Sequence, residues 1–194
     1  MFRHLMPLSA AALLALTAPL AAQETSQQAP VLDLGQPVAQ EPQLGERYSL
    51  EKFGDWDMAC IKTNAEKDPC SILQVLVDGQ GNPTAEVSLF RLEGGGQAVA
   101  GGTIVVPLET LLTAQVTMSV DGGNGKRYNY SFCSQMGCVA QVGFTQEDID
   151  AFKRGNAATL TLVPAPAPDQ RVVLTMSLKG FTAAYDAVDV VPAN

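Results

Sequence analysis

Three observations predict a mainly β fold: an antiparallel β-sandwich or barrel-like domain with one short helix and two disulfides. They are period-two alternation of apolar and polar residues, turn segments rich in glycine, and four cysteines in two close pairs.

The chain opens with an export signal. Arg3 and His4 supply a short positive start, Leu5 to Leu20 is apolar, and Ala21 and Ala22 precede the polar Gln23, so residues 1–22 read as a signal peptide cleaved after Ala22. The apolar run is short for a membrane span of roughly 20 residues, and no later stretch is apolar enough to cross as a helix. Residues 23–46 follow as a flexible leader rich in Gln, Pro and Ala, with Pro30, Pro37 and Pro42 and no periodicity. Residues 47–194 then form a single domain, long enough to bury a core.

Within that domain, Trp56, Met58 and Cys60 alternate with Asp55, Asp57 and Ala59. Val116, Met118 and Val120 do so with Thr117 and Ser119, and Val172, Leu174, Met176 and Leu178 with Val173, Thr175 and Ser177. Such alternation describes half-buried strands. Further strands are expected at 71–78, 85–92, 98–106, 128–133, 138–143 and 158–163. They are punctuated by DGQGNP at 78–83, EGGG at 93–96 and DGGNG at 121–125.

A helix is expected over 146–154. Thr145 and Asp148 have capping-box spacing, Glu147, Asp148 and Asp150 place negative charge at the helix start, and Lys153, Arg154 and Gly155 mark its end. Ile149 and Phe152 would dock on the sheet. Phe181, Ala184, Tyr185 and Val188 suggest a second helical turn over 181–187.

The four cysteines, Cys60, Cys70, Cys133 and Cys138, permit three pairings. Local pairing, Cys60–Cys70 and Cys133–Cys138, is preferred because each bridge closes a short loop at or between strands. A bridge of that kind contributes about 2–3 kcal/mol in the chain-entropy view. Neither pair has the C-x-x-C spacing of a redox site.

Composition excludes much chemistry. The single histidine is His4, so the mature chain has none, which removes Ser-His-Asp and Cys-His catalysis and the usual zinc, copper and haem ligands. Loss of residues 1–22 leaves 11 Lys+Arg against 20 Asp+Glu, a net charge of −9, which disfavours nucleic acid as a partner. DGGNG lacks the alternating carboxylates of a calcium loop, and EGGG lacks the Gly-Lys-Ser/Thr of a phosphate cradle. Asp55 and Asp57, about 7 Å apart if they share a strand face, are the one carboxylate pair of note, and an exposed strand face explains them. No enzyme signature is found and no cofactor or metal is implied.

Taken together, FGDWDMAC at 53–60, Cys70, FCSQMGC at 132–138, the Lys-Arg-Gly helix end and SLKGFTAA at 177–184 resemble the invasion-associated locus B family of secreted bacterial proteins, over roughly residues 50–187. The resemblance implies an exported, envelope-associated β-rich protein with a disulfide framework. It also implies a location in the periplasm or on the outer surface of a Gram-negative bacterium. It carries over no catalytic residue. The expected activity is therefore non-enzymatic binding of an envelope component or host protein, with Phe53, Trp56, Tyr128 and Tyr130 as candidate partner-binding residues. The rival readings are an accessory factor in envelope assembly under stress and a histidine-free hydrolase using Asp55 and Asp57.

Overall fold

The computed structural model describes Gly35, residues 41–94 and residues 96–192; the expected signal and the leader up to residue 40, apart from Gly35, lie outside the described residues. The first strands are β1 (Arg47–Phe53), β2 (Trp56–Ile61), β3 (Cys70–Val77), β4 (Pro83–Leu92) and β5 (Ala100–Val106). A single 3-10 turn at Leu112–Ala114 leads to β6 (Val116–Val120), β7 (Lys126–Tyr128), β8 (Phe132–Ser134) and β9 (Gly137–Phe144). The chain ends with α1 (Gln146–Arg154), β10 (Ala157–Leu162), β11 (Val172–Ser177), α2 (Phe181–Ala187) and β12 (Val190–Val191).

These strands make two open sheets. The large one runs β1-β2-β3-β4-β5-β9-β8, with β12 added in parallel to the end of β4; the small one runs β11-β10-β6-β7. All other neighbours are antiparallel, and neither sheet closes on itself, so the sandwich form of the expectation is the one realised. Register explains the core. Val87 lies opposite Ile104, and Ile104 opposite Ala140, across β4, β5 and β9. In the small sheet Leu160 stands between Met118 and Leu174. These side chains, all buried, face one another between the sheets in one continuous core.

Two helices close one end of the sandwich, α1 against β9 and α2 against β1 and β2. The capping box expected for α1 is complete: Asp148 N–H donates to Thr145 Oγ1 (3.3 Å) and Thr145 N–H to Asp148 Oδ2 (2.9 Å). Ile149 and Phe152 are buried. Gly155 ends the helix at φ −77°, so it supplies room rather than a left-handed turn; a Cβ there would meet Val120 Cγ1 at 2.6 Å. An aromatic chain runs through this end of the core. Trp56–Phe181, Phe181–Phe152 and Phe152–Phe144 meet edge-on with centroids 5.2, 5.4 and 5.3 Å apart, and Tyr128 extends the chain beside Phe144. Each such contact adds about 0.5–1.5 kcal/mol to burial alone.

Sequence and structure differ at three places. The expected strand 128–133 is two strands in two sheets, because the chain crosses the sandwich at 129–131 between β7 and β8. β1 was not foreseen: it is an edge strand, mostly exposed, with a bulge between Ser49 and Glu51 that leaves Leu50 at the surface, so burial imposes no alternation on it. Within the leader, the turn Gln43–Glu46 is already tied to the domain, with Gly45 N–H donating to Lys62 O (2.8 Å) and Lys62 N–H to Glu46 O (2.9 Å).

A polar clasp joins the two sheets. Ser177, the last residue of the edge strand β11, donates its N–H to Gln74 Oε1 (2.7 Å), and Gln74 Nε2 donates back to Ser177 O (3.1 Å) and to Asp55 O (3.1 Å). The Gln74 amide thus acts toward β11 as a peptide group of a neighbouring strand would. Trp56 Nε1–H also donates to Ser177 O (2.9 Å), and Ser177 Oγ–H to Asp55 Oδ2 (2.6 Å). The turn at Gly54 and the turn at Gly180 interlock beside this clasp. Gly180 has φ 88°, and a Cβ on it would stand 1.9 Å from Phe53 O.

Two substitutions test the clasp. Gln74→Leu keeps the bulk but removes the amide partner of the part-buried Ser177 N–H and of the Asp55 carbonyl, a loss of about 1–3 kcal/mol in urea unfolding. Gly180→Ala is expected to lose about 2–4 kcal/mol from overpacking and a disfavoured φ. Midpoints within error of the parent protein would show that the sheets do not need this link.

Candidate binding surface

The sequence-predicted residues fall into three settings. The cysteines pair as expected, Cys60–Cys70 and Cys133–Cys138, each bridging residues directly opposite one another on adjacent antiparallel strands, with Cα atoms 4.0 Å apart. Trp56 is 1% exposed and belongs to the core, so it is not available to a partner in the folded protein. Phe53, Tyr128 and Tyr130 are half-buried and pack against the same core. Burial pushes the phenols of Tyr128 and Tyr130 up to about 12, with the nearby Asp148 charge a smaller cause at Tyr128. Tyr130 Oη has no hydrogen-bond partner among the described residues, and nothing in the structure explains that.

The carboxylate pair is divided. Asp55 is not on the strand with Asp57; it sits in the Gly54-Asp55 turn between β1 and β2 and accepts from Ser177 Oγ, whereas Asp57 accepts from Ser49 Oγ (2.5 Å). Both carboxylates therefore hold neighbouring segments in place. Among the described residues no group of three or more His, Cys, Asp or Glu could hold a metal ion, and no helix is long and apolar enough to cross a membrane.

The large sheet presents a concave outer face. Neighbouring strands of a sheet are twisted relative to one another, and here Arg47 on β1 reaches Glu86 on β4, three strands away in the same sheet, in a bidentate ion pair, 2.7 and 3.0 Å. Beneath and beside this strap lies a trough of about 760 Å³, lined by Ile61, Val75, Val105, Pro107 and Met136 among others. With Arg47 half exposed, the ion pair contributes at most about 1 kcal/mol; it shapes the trough rather than holding the fold.

Each disulfide fixes one apolar group on this face. Ile61 follows Cys60, and Met136, 85% exposed, sits at the tip of the β8–β9 hairpin that Cys133–Cys138 closes. Phe132 and Val77 are also exposed apolar side chains of the large sheet. Sequence reasoning missed these residues. The available signal was the run Ile72–Val77, apolar on both faces apart from Gln74, which describes a strand with apolar groups on each side rather than a half-buried one.

The loop inside the first disulfide is ordered by Asp68. Its carboxylate accepts from Thr63 N–H (2.7 Å), Thr63 Oγ (3.0 Å), Tyr48 Oη (2.8 Å) and Lys62 Nζ (3.2 Å). The backbone bond from Thr63 is the main reason its pKa falls from 3.8 to about 2, with the Tyr48 bond next.

Two open sheets, two cross-strand disulfides and an apolar trough on the outer face of the large sheet define a disulfide-linked β-sandwich. Comparison with known proteins places it further. The family described as "Invasion associated locus B (IalB) protein" matches residues 56–189, a span that contains both disulfides and the Trp56, Gln74, Ser177 and Gly180 clasp. Invasion protein B homologues from two strains of Brucella abortus are 28% identical over 138 residues, covering 71% of this chain and 78% of theirs. The crystal structure of invasion associated protein b from Bartonella henselae superposes with a TM-score of 0.59 at 26% identity, over 69% of this chain and 90% of that one. The chain belongs to the invasion-associated locus B family.

Asp68 gives the domain an acid-sensitive loop. Because its folded pKa lies below its ordinary value, its contribution is fully present above that value and is lost as pH falls from 3.8 toward about 2. Asp68→Asn should lower the melting temperature at neutral pH and flatten its decline across that acid window. An unchanged decline in the variant would place the acid sensitivity elsewhere.

Proposed function

We propose that this protein is exported to the cell envelope and acts there, without catalysis, by holding an uncharged apolar stretch of a protein partner in the trough on the outer face of its large sheet. The observation that carries this reading is the placement of exposed apolar side chains, Ile61, Val75 and Met136, on one concave face beside both disulfides. Exposed apolar groups gathered in one hollow are the usual mark of an interaction site.

The chemistry of the lining selects the occupant. In a chain of net charge −8, the only charged side chains lining the trough among the described residues are Arg47 and Glu86, and they neutralise each other. A strongly charged ligand finds no complement there, whereas an apolar peptide segment finds a floor of branched side chains and an adaptable methionine. Export accords with the expected signal peptide, the disulfides and the names of the relatives, which link those proteins to invasion. A binding role accords with the absence of histidine from the mature chain and with the structural use of Asp55 and Asp57.

Photo-crosslinking in intact cells tests this. A photoreactive residue at position 136 should give a protein adduct of defined mass that is absent when the same residue is placed at 173, an exposed position on the small sheet. Val75→Lys should abolish the adduct while shifting the melting temperature little, since Val75 is half exposed. Equal adducts from both positions, adducts with lipid, or self-adducts alone would each overturn the assignment. Protease added to intact and lysed cells settles location in parallel: digestion only after lysis places the domain in the periplasm, and digestion on intact cells places it at the surface.

A further inference from the structure

The small sheet carries a second hollow of different character. It holds about 430 Å³ and is lined by polar side chains, Thr113, Gln115, Thr117, Arg127, Thr161 and Arg171, with the small apolar Ala114 and Val163 beside them and no carboxylate or aromatic ring among its lining residues. The register builds it. Arg127 on β7 stands opposite Thr117 on β6, and Thr117 opposite Thr161 on β10, so an arginine and two threonines form one row on the outward face. At sheet spacing the row spans roughly 10 Å between the Arg127 and Thr161 Cα atoms. Arg171 enters from the segment just before β11 and borders the same hollow.

The donors of this hollow are unspent. Five of the described cations are neutralised by carboxylates: Arg47, Lys62, Lys67, Lys126 and Lys153. Arg127 and Arg171 have no such partner among the described residues, yet they share one concave site in a chain of net charge −8. The hydroxyls of Thr113, Thr117 and Thr161 likewise make no hydrogen bond to other described residues. At the rim, Gln115 is held at φ 61° and ψ 166°, a conformation that glycine alone adopts comfortably, with its Nε2 donating to Asn129 Oδ1 (2.8 Å). Strain of this kind in a non-glycine residue collects at sites of function.

We propose that this hollow is an oxyanion site for a phosphate or sulfate ester of a polyol. Two guanidinium groups offer paired N–H donors to a tetrahedral oxyanion, and the threonine row offers hydroxyls to the hydroxyls of the polyol. The lack of an aromatic ring gives a nucleobase nothing to stack on, and a mainly polar lining with only Ala114 and Val163 apolar gives an acyl chain little to bury against. The site is on the other sheet from the apolar trough and does not rest on the reading of that surface.

Calorimetric titration of the full mature protein with inorganic pyrophosphate tests the proposal. Saturable binding that weakens with added salt is expected, and Arg127→Gln and Arg171→Gln should each weaken it by about tenfold or more. Both arginines are exposed, so the variants should melt with the parent. Arg154→Gln, which removes another arginine without a carboxylate partner, at the end of α1 and outside the lining of the hollow, should leave binding unchanged. No saturable heat, or an equal loss in Arg154→Gln, overturns the site. Competition then assigns the source of the ester. Displacement of pyrophosphate by glucose 6-phosphate identifies a free ester, displacement only by vesicles of equal parts phosphatidylglycerol and phosphatidylcholine identifies a lipid headgroup, and displacement by neither also overturns the proposal.

Discussion

The exchange of hydrogen bonds between the Gln74 side chain and the Ser177 backbone is the contact on which the rest of the structure depends. The hydrophobic effect between two apolar sheet faces is non-directional, so their relative offset is set by side-chain packing and by whatever directional bonds cross between them. A directional bond that is costly to leave unmade fixes that offset. Gln74 is 8% exposed, one of few buried polar residues, and its amide sits where a further strand would pair with β11. Trp56 closes the same carbonyl from the side and carries the aromatic chain behind it. Through these bonds the β1–β2 turn, the middle of β3 and the end of β11 hold one position, and α2 begins directly from it.

The clasp gives a structural meaning to segments that carry the family resemblance. FGDW and SLKGF lie far apart in the chain yet meet at the clasp, where Gly54 and Gly180 let two turns interlock. They identify a way of joining two sheets. The surfaces that could meet a ligand lie elsewhere and have different chemistry: an apolar trough on the large sheet and an arginine–threonine hollow on the small one. The disulfides belong to the first of these as much as to the fold. One bridge precedes Ile61 and the other encloses Met136, so cross-links that stabilise edge regions also fix the lip of the trough.

What was readable in the sequence was local. Helix α1 could be read residue for residue because its cap, its charges and its terminal glycine all fall within a few positions. Local disulfide pairing was readable for the same reason: a short loop brings its ends together with little entropic cost. Strands with one buried face were readable through their alternation. β1 was not, since an exposed edge strand with a bulge has no buried face to impose a pattern. The run 128–133 showed strand character throughout, and nothing in it marks the crossing between sheets at 129–131.

Trp56 came to stand among the candidate binding residues for a related reason. Aromatic residues attract attention as partner contacts, but their large apolar area makes them equally good core, and Trp56 could satisfy both its ring and its N–H inside. By itself the sequence determined the β class and helix α1 and favoured the local disulfide pairing, because each follows from residue type and short spacing. Only the tertiary structure decided which strands share a sheet, and hence that Arg47 reaches Glu86 and that Arg127 and Arg171 border one hollow. Those outcomes depend on twist accumulated over many strands and on contacts between residues remote in sequence, and no local pattern records either.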